Sequence, residues 1–128
     1  MTSPPTVSIR LLICGSRYYT DEAEFEKIVK EWIRVNGEPQ IIIAGEANGA
    51  DTLAKKYAKR NLIEYEGYPA QWSGTGRQRK AAGPIRNSLM LTRCTHVLAL
   101  PSRNGTGTQD TMRKAKAKGI PVTPVYVD

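Results

Sequence analysis

The stretch HVLALPSRNGTGTQDTMRKA, residues 96–115, predicts a strand, a loop and the start of a helix, in that order. The apolar run Val97–Leu100 stops at Pro101, a loop rich in glycine and threonine follows, and after Thr108 the pattern becomes helical. A helix that starts after such a loop offers free backbone N–H groups and the positive end of its dipole to an anion. We therefore interpret this stretch as a phosphate cradle. Its candidate ligand-binding residues are Gly105, Thr106, Gly107 and Thr108.

Length and composition predict an ordinary globular protein. The chain has 128 residues, of which 40% are hydrophobic and 24% charged, and a chain of this size supports one domain with a real core. We expect a single domain over residues 1–128, with residues 1–7 as a flexible lead-in because Pro4 and Pro5 block regular structure. No apolar run approaches the roughly 20 residues of a membrane span, and no secretory signal opens the sequence. We expect a cytoplasmic protein without a membrane partner.

The formal net charge of +7 favours an anionic partner but does not identify it. Nucleotide phosphates and nucleic acid both fit, and a solvated basic surface fits as well. The run Arg77–Lys80 and the basic residues after Arg113 are the segments that would form a nucleic-acid surface. His96 and Cys14 lie outside any metal-ligand spacing, so we expect both to be structural and predict no metal site and no cofactor.

Apolar runs alternate with helical patterns along the whole chain. Buried strands are predicted at residues 8–14, 40–44, 62–68, 97–100 and 122–127. Helices are predicted to begin after the cap Asp21, at Asp51, at Pro84 and after Thr108. The first is predicted to end at Asn36–Gly37, whereas residues 69–83 lack periodicity. This alternation predicts an α/β fold: a doubly wound parallel sheet of about five strands.

In such a sheet the ligand binds outside the carboxyl ends of the strands. Four segments that combine glycine with polar or basic residues fall at this edge, namely residues 15–17, 45–51, 83–87 and 105–108. Arg17 and Arg86 either clamp one anion through bidentate hydrogen bonds or form surface ion pairs. Asp51 is interpreted as a helix N-cap, with recognition of a ribose or base as the alternative.

Two further residues have open roles. Asn87 either reads the edge of a base or satisfies its own loop. Trp72 either stacks on a base or packs its loop against the protein.

The motifs together resemble those of the YspA-like, cpYpsA-related branch of the SLOG superfamily. The matching blocks run from Gly15 to Val122 in the family's order. They are Gly15-Ser16-Arg17 with Asp21; Gly45, Ala47, Gly49, Ala50 and Asp51 with Ala54; Pro69, Ala70 and Trp72; Ala82 to Asn87 with Met90; and Gly107-Thr108 with Ala115. The resemblance implies a Rossmann-like fold that binds a nucleotide or nucleotide-derived ligand, in a protein that can form a homodimer.

The wider superfamily includes the LOG phosphoribohydrolases, which cleave the N-glycosidic bond of nucleoside monophosphates, and the DprA proteins, which bind single-stranded DNA. Arg86 to Met90 resembles the R-K-x-x-M segment of LOG enzymes. Pro101 to Thr111 resembles their P-G-G-x-G-T-x-x-E segment only in part, because Thr111 stands where the glutamate would be. The nearest carboxylate is Asp110, which with Arg86 forms the candidate catalytic pair.

The missing glutamate matters because a carboxylate stabilises the oxocarbenium-like state of glycosidic cleavage. Whether the protein is an enzyme therefore stays open. The leading hypothesis is a nucleotide-binding sensor or sequestering module. The alternatives are a nucleotide N-glycosidase and a protein that binds single-stranded nucleic acid.

Overall fold

The computed structural model describes residues 8–70, 76–102 and 107–127. Within these ranges the strands are β1 (Arg10–Gly15), β2 (Ile41–Ala44), β3 (Glu64–Gly67), β4 (His96–Leu100) and β5 (Val122–Pro124). The helices are α1 (Glu22–Asn36), α2 (Ala50–Arg60), α3 (Arg77–Arg93) and α4 (Gly107–Ala117). The predicted lead-in, residues 1–7, lies outside the described residues.

All strand pairs are parallel, and the strand order is β3-β2-β1-β4-β5. The chain therefore winds outward from β1 to β3 and then returns to place β4 on the other side of β1. This order confirms the predicted doubly wound, Rossmann-like α/β fold. The reversal between β1 and β4 creates the crevice in which ligands of such folds bind.

Successive side chains of each central strand face opposite sides of the sheet, and each side has its own core. Leu11 and Ile13 of β1 face a cluster that includes Phe25 and Val29 of α1 and residues of α2. The alternate residues of the strands face Met90 of α3 and residues of α4. Helices therefore cover both faces, which is why the strands read as continuous apolar runs.

Both cysteines belong to the second core cluster. Burial raises the pKa of the Cys14 thiol above its ordinary range and that of the Cys94 thiol to about 11. Both thiols are therefore uncharged near neutral pH, and the structural interpretation of Cys14 is supported. His96 packs edge-on against the Trp32 ring, with centroids 5.6 Å apart.

The ends of α1 lie where the sequence predicts them. The Asp21 carboxylate accepts a hydrogen bond from the Glu24 N–H at 3.0 Å and caps the helix, and Gly37 follows its last residue at φ 106°. The Glu24 carboxylate bonds to the Tyr19 hydroxyl at 2.8 Å. Glu24, in the first turn of α1, thus also holds the loop that precedes the helix.

The predicted start of α3 at Pro84 is wrong, because the helix begins at Arg77 and Pro84 lies inside it. In the described part of the segment before Pro84, Ala82 is the residue that is buried. A helical segment without a core to face shows no hydrophobic period, so the sequence pattern could not reveal it. The predicted strands at 62–68 and 122–127 are likewise shorter than expected; Leu62 is 94% exposed and has φ 57°.

None of the helices in the described ranges has the length and apolar character that crossing a membrane requires.

The loop after β1 (loop 1, residues 16–21) packs directly on the loop after β2 (loop 2, residues 45–49). The Ser16 carbonyl accepts the Ala50 N–H at 3.1 Å, and the Ser16 N–H donates to the Leu100 carbonyl at 3.0 Å. A Cβ on Gly49 would lie 2.3 Å from the Ser16 oxygen, and Gly49 also has φ 74°. The absence of a side chain at Gly49 therefore allows the two loops to touch.

We expect Gly49→Ala to lower the free energy of unfolding by more than about 2 kcal/mol, because an unfavourable φ and a backbone clash combine. Gly119→Ala is the control for φ alone, since Gly119 has φ 75° and open space around it. Gly15→Ala is the control for close contact alone, since its Cβ would lie 2.6 Å from the Leu100 oxygen. Urea denaturation of the three variants measures the effect, and a loss at Gly49 no larger than at Gly119 would contradict it.

Candidate functional site

The site centres on Arg86, whose side chain reaches from α3 to the carboxyl end of β2. Its Nη1 donates to the Gly45 carbonyl at 2.5 Å, and its Nε donates to the Asn87 Oδ1 at 2.9 Å. A Cβ on Gly45 would lie 2.5 Å from the Arg86 Nη1. Gly45 therefore provides both the acceptor and the space that hold the guanidinium in place.

Asp51 approaches the same glycine from α2. Its Oδ2 accepts the Ala47 N–H at 3.2 Å and would lie 3.0 Å from a Gly45 Cβ. The predicted N-cap role of Asp51 is wrong: Gly49 occupies the cap position and Asp51 is the second residue of the helix. The carboxylate instead bridges α2 to loop 2.

Burial dominates the electrostatics of Asp51, whose exposed fraction is 7%. It raises the pKa of the carboxyl to about 6, against the smaller lowering effects of the Ala47 N–H and the Arg86 charge. Asp51 therefore changes charge close to physiological pH. Carboxyl groups with such displaced pKa values are concentrated at functional sites.

Asn87 and Asp110 link Arg86 to the first turn of α4. The Asn87 side chain is buried, and its Nδ2 donates to the Asp110 Oδ2 at 3.2 Å. Asp110 also pairs with Arg113 at 2.6 Å and with Lys114 at 3.0 Å. Partial burial acts to raise the pKa of Asp110, but the hydrogen bonds from Lys114 and Asn87 hold it below its usual value. Asp110 is thus a firmly ionised carboxylate that is already paired.

Glu46 makes its contacts with α2 and β3. It adopts φ 61°, its carboxylate pairs with Lys55 at 3.4 Å, and it fills the space above Gly67. The Tyr65 hydroxyl is buried nearby and has no hydrogen-bond partner among the described residues. Burial and the Glu46 charge raise its pKa above the ordinary range. Glu46 is therefore committed to β3 and α2.

The Arg17 side chain contacts its neighbour Tyr18. The exposed Arg17 guanidinium lies over the Tyr18 ring, 5.5 Å from its centroid. Gly15 and Ser16 lie at the base of loop 1, where Ser16 contacts Ala50 and Leu100.

The remaining predicted ligand residues lie around the start of α4. Gly107 is exposed with open space around it, and Thr108 is buried. The predicted ligand residues Gly105 and Thr106 and the predicted stacking residue Trp72 lie outside the described residues. The side chains of Arg77–Lys80 also lie outside them.

The structure thus brings together six of the predicted residues at one edge of the sheet, namely Gly45, Ala47, Asp51, Arg86, Asn87 and Asp110. Sequence reasoning missed that Lys114 joins the two helices, since its Nζ also donates to the Pro84 carbonyl at 3.2 Å. The spacing of Asp110 and Lys114, four residues apart on a helix, was the available signal. Nothing in the sequence pattern marked the contact with Pro84.

A family model described as the YspA, cpYpsA-related SLOG family matches residues 9–74. The Gene 61 protein of Mycobacterium phage D29 is 31% identical over 119 residues, which are 88% of this chain and 93% of the phage protein. The family-model match covers β1 through β3 of this chain, and the alignment with the phage protein covers most of the chain. Both likenesses include loop 1 and loop 2.

Solved structures share the fold at low sequence identity. DNA processing protein A (DprA) of Streptococcus pneumoniae aligns with a TM-score of 0.72 at 17% identity, covering 94% of this chain and 51% of that one. DprA of Helicobacter pylori, described in a single-stranded DNA binding mode, aligns with a TM-score of 0.66 at 16% identity, over 91% and 64%. The molybdenum cofactor binding protein of Rippkaea orientalis aligns with a TM-score of 0.69 at 17% identity, over 97% and 80%. The chain spans about half to two thirds of the two DprA chains.

The environment of Asp51 predicts a specific pH dependence of stability. Because its folded pKa of about 6 exceeds the ordinary 3.8, its contribution is fully present below about pH 4 and is lost as the pH rises through about 6. The free energy of unfolding of wild type minus that of Asp51→Asn should therefore fall by up to about 3 kcal/mol between about pH 4 and pH 7.

For Asp110→Asn we expect the pH dependence of the same free-energy difference to have the opposite sign. Since its pKa is lowered in the folded state, the stability from Asp110 is present above its ordinary pKa and lost on acidification. Urea denaturation of wild type and Asp51→Asn between about pH 4 and pH 7, and of wild type and Asp110→Asn from about pH 4 downward, measures the two differences. A wild-type minus Asp51→Asn difference that stays flat or rises with pH would refute the assignment.

Proposed function

The chain belongs to the YspA, cpYpsA-related SLOG family, and on this premise we propose that it binds a nucleotide or nucleotide-derived phosphate ligand at the carboxyl edge of its sheet. It acts as a sensor or sequestering module. The observation that carries this proposal is the Arg86 guanidinium, held over the end of β2 by the Gly45 carbonyl and Asn87.

Arg86 is prepared for an anion because its side chain is ordered before any ligand arrives. An arginine has five N–H donors, and the bonds to Gly45 and Asn87 use two of them. In the described part of the chain its Nη2 group donates to no protein acceptor. The free N–H groups of the planar guanidinium can therefore donate bidentate hydrogen bonds to a phosphate with little further loss of side-chain entropy.

The groups beside Arg86 suit different parts of a nucleotide. Gly107 is exposed at the N-terminus of α4, where backbone N–H groups and the helix dipole favour a phosphate. An ionised Asp51 would repel a phosphate but accepts hydrogen bonds from hydroxyl groups. We therefore place the phosphate between Arg86 and Gly107–Thr108, with the ribose or base toward Asp51. In this arrangement Ser16, Gly45 and Ala47 would line the bottom of the binding site.

We expect Arg86→Ala to weaken binding of nucleoside monophosphates at least tenfold, since a charged hydrogen bond contributes about 1.5–3 kcal/mol. Arg86→Lys should restore only part of the affinity because it keeps the charge and loses the fork. Isothermal titration calorimetry with nucleoside monophosphates and ADP-ribose measures the affinities. Arg34→Gln is the matched control, since Arg34 is exposed on α1 and pairs with Glu31.

The binding proposal fails if wild-type protein binds none of these ligands. If the ligands bind and Arg86→Ala retains wild-type affinity while its circular dichroism spectrum is unchanged, the location of the site is wrong.

A second candidate function is nucleotide N-glycosidase activity, with Arg86 and Asp110 as the catalytic pair. It is favoured by the ionised Asp110 carboxylate, which the Asn87 amide joins to Arg86. A carboxylate at this position can stabilise an oxocarbenium-like state. Incubation with nucleoside monophosphates tests this candidate: release of free base that disappears in Asp110→Asn supports it, and no release refutes it.

The third candidate is binding of single-stranded nucleic acid. It is favoured by the net charge of +7 and by the shared fold of the H. pylori DprA, which is described in a single-stranded DNA binding mode. Oligonucleotide affinity that falls steeply with salt would support it. Affinity no higher than for heparin would exclude it.

We also propose that two copies associate. Ile85 and Leu89 lie one turn apart on α3 and are 58% and 52% exposed. Analytical ultracentrifugation decides between monomer and homodimer.

A further inference from the structure

Tyr18 is an aromatic side chain that the proposed site does not yet use. It is 81% exposed and lies in loop 1, beside the carboxyl edge of the sheet. A single exposed apolar residue is ordinary on a protein surface. Tyr18 differs because the backbone on both of its sides is fixed and one face of its ring is covered.

Hydrogen bonds fix the backbone around Tyr18. The Tyr18 N–H donates to the Ser16 Oγ at 3.2 Å, and the Tyr19 N–H donates to the Ser16 carbonyl at 3.3 Å. Tyr19 itself is buried, with its hydroxyl donating to Glu24 at 2.8 Å. Because Ser16 is in turn tied to Ala50, the turn that carries Tyr18 is anchored to α2.

The position of this turn places Tyr18 next to loop 2. A Cβ on Gly49 would lie 2.5 Å from the Arg17 carbonyl carbon and 2.6 Å from its Cα. The residue directly before Tyr18 thus touches the loop that continues through Ala47 to Gly45. Arg86 and Asp51 meet at Gly45.

The Tyr18 ring has one covered face. The Arg17 guanidinium lies over it, 5.5 Å from the ring centroid, which is within the range of a cation–π contact. That contact directs one face of the ring toward the Arg17 charge. The opposite face of an 81% exposed ring is open to a planar group.

We propose that the open face of Tyr18 stacks on the nucleobase of the bound nucleotide. The inference rests on the proposed function and specifies it: the ligand carries an aromatic base, and the base lies over loop 1 while the phosphate lies toward Arg86. Stacking uses the π-face that every base possesses, so Tyr18 contributes affinity without choosing strongly among bases. Arg17 then acts as a positioning residue for the ring.

The test compares ligands that differ by the base. AMP and ribose 5-phosphate share the phosphorylated sugar, and calorimetry measures both against wild type, Tyr18→Ala, Tyr18→Phe and Arg86→Ala. We expect Tyr18→Ala to weaken AMP about 5- to 100-fold and to leave ribose 5-phosphate unchanged. Tyr18→Phe should keep AMP affinity, because it keeps the ring. Leu62→Ala is the control for loss of an exposed apolar side chain, since Leu62 is 94% exposed before β3.

The outcomes separate this inference from the proposed function. Equal effects of Tyr18→Ala on both ligands, or none on either, overturn stacking while an Arg86-dependent affinity upholds the phosphate site. A Tyr18→Ala defect that appears with oligothymidylate and not with AMP overturns the mononucleotide assignment in favour of single-stranded DNA. If wild type binds neither of these ligands, nor any other nucleoside monophosphate or ADP-ribose, both proposals are refuted together.

Discussion

The hydrogen bond from Arg86 to the Gly45 carbonyl is the contact on which the arrangement of the edge depends. Arg86 is the tenth residue of α3, so the nine residues before it, about 13 Å of helix at 1.5 Å per residue, extend past the end of β2. The helix forms a wall above the carboxyl edge rather than stopping beside the sheet. Lys114 braces this wall from α4 through the Pro84 carbonyl, which also accepts the Ser88 hydroxyl.

Two carboxyl groups at this edge differ because their surroundings differ. Asp51 is buried on α2 with a backbone N–H as its hydrogen-bond donor, so its pKa rises to about 6. Asp110 receives two cationic side chains and the Asn87 amide, so its pKa stays below the usual value. Near neutral pH the charge of Asp110 is compensated by its cationic partners, whereas the charge of Asp51 changes with pH. Under the proposed function, Asp51 is the carboxyl group that would couple ligand binding to pH.

The features that sequence predicted well are those set by neighbouring residues. The apolar runs gave the parallel sheet, and Asp21 with Gly37 gave both ends of α1. The roles of Asp51 and Arg86 depend on distant contacts: Gly49 packs against Ser16, and Arg86 bonds across 41 residues to Gly45. A local sequence pattern does not reveal such contacts. The gathering of six predicted residues at one edge followed from topology alone, because parallel strands end together.

Thr111 is a polar residue whose side chain is engaged within its own helix. In the resemblance to LOG enzymes it stands where their glutamate would be, and here it is 1% exposed and donates its hydroxyl to the Gly107 carbonyl at 3.3 Å. Its side chain thus serves the first turn of α4 instead of reaching toward a ligand. Glu46 is turned to Lys55, and Asp110 is neutralised by its own helix. The carboxylates around Arg86 are therefore occupied or buried while Arg86 keeps donors free, and this balance of charges supports the proposal that the edge retains an anion rather than cleaving one.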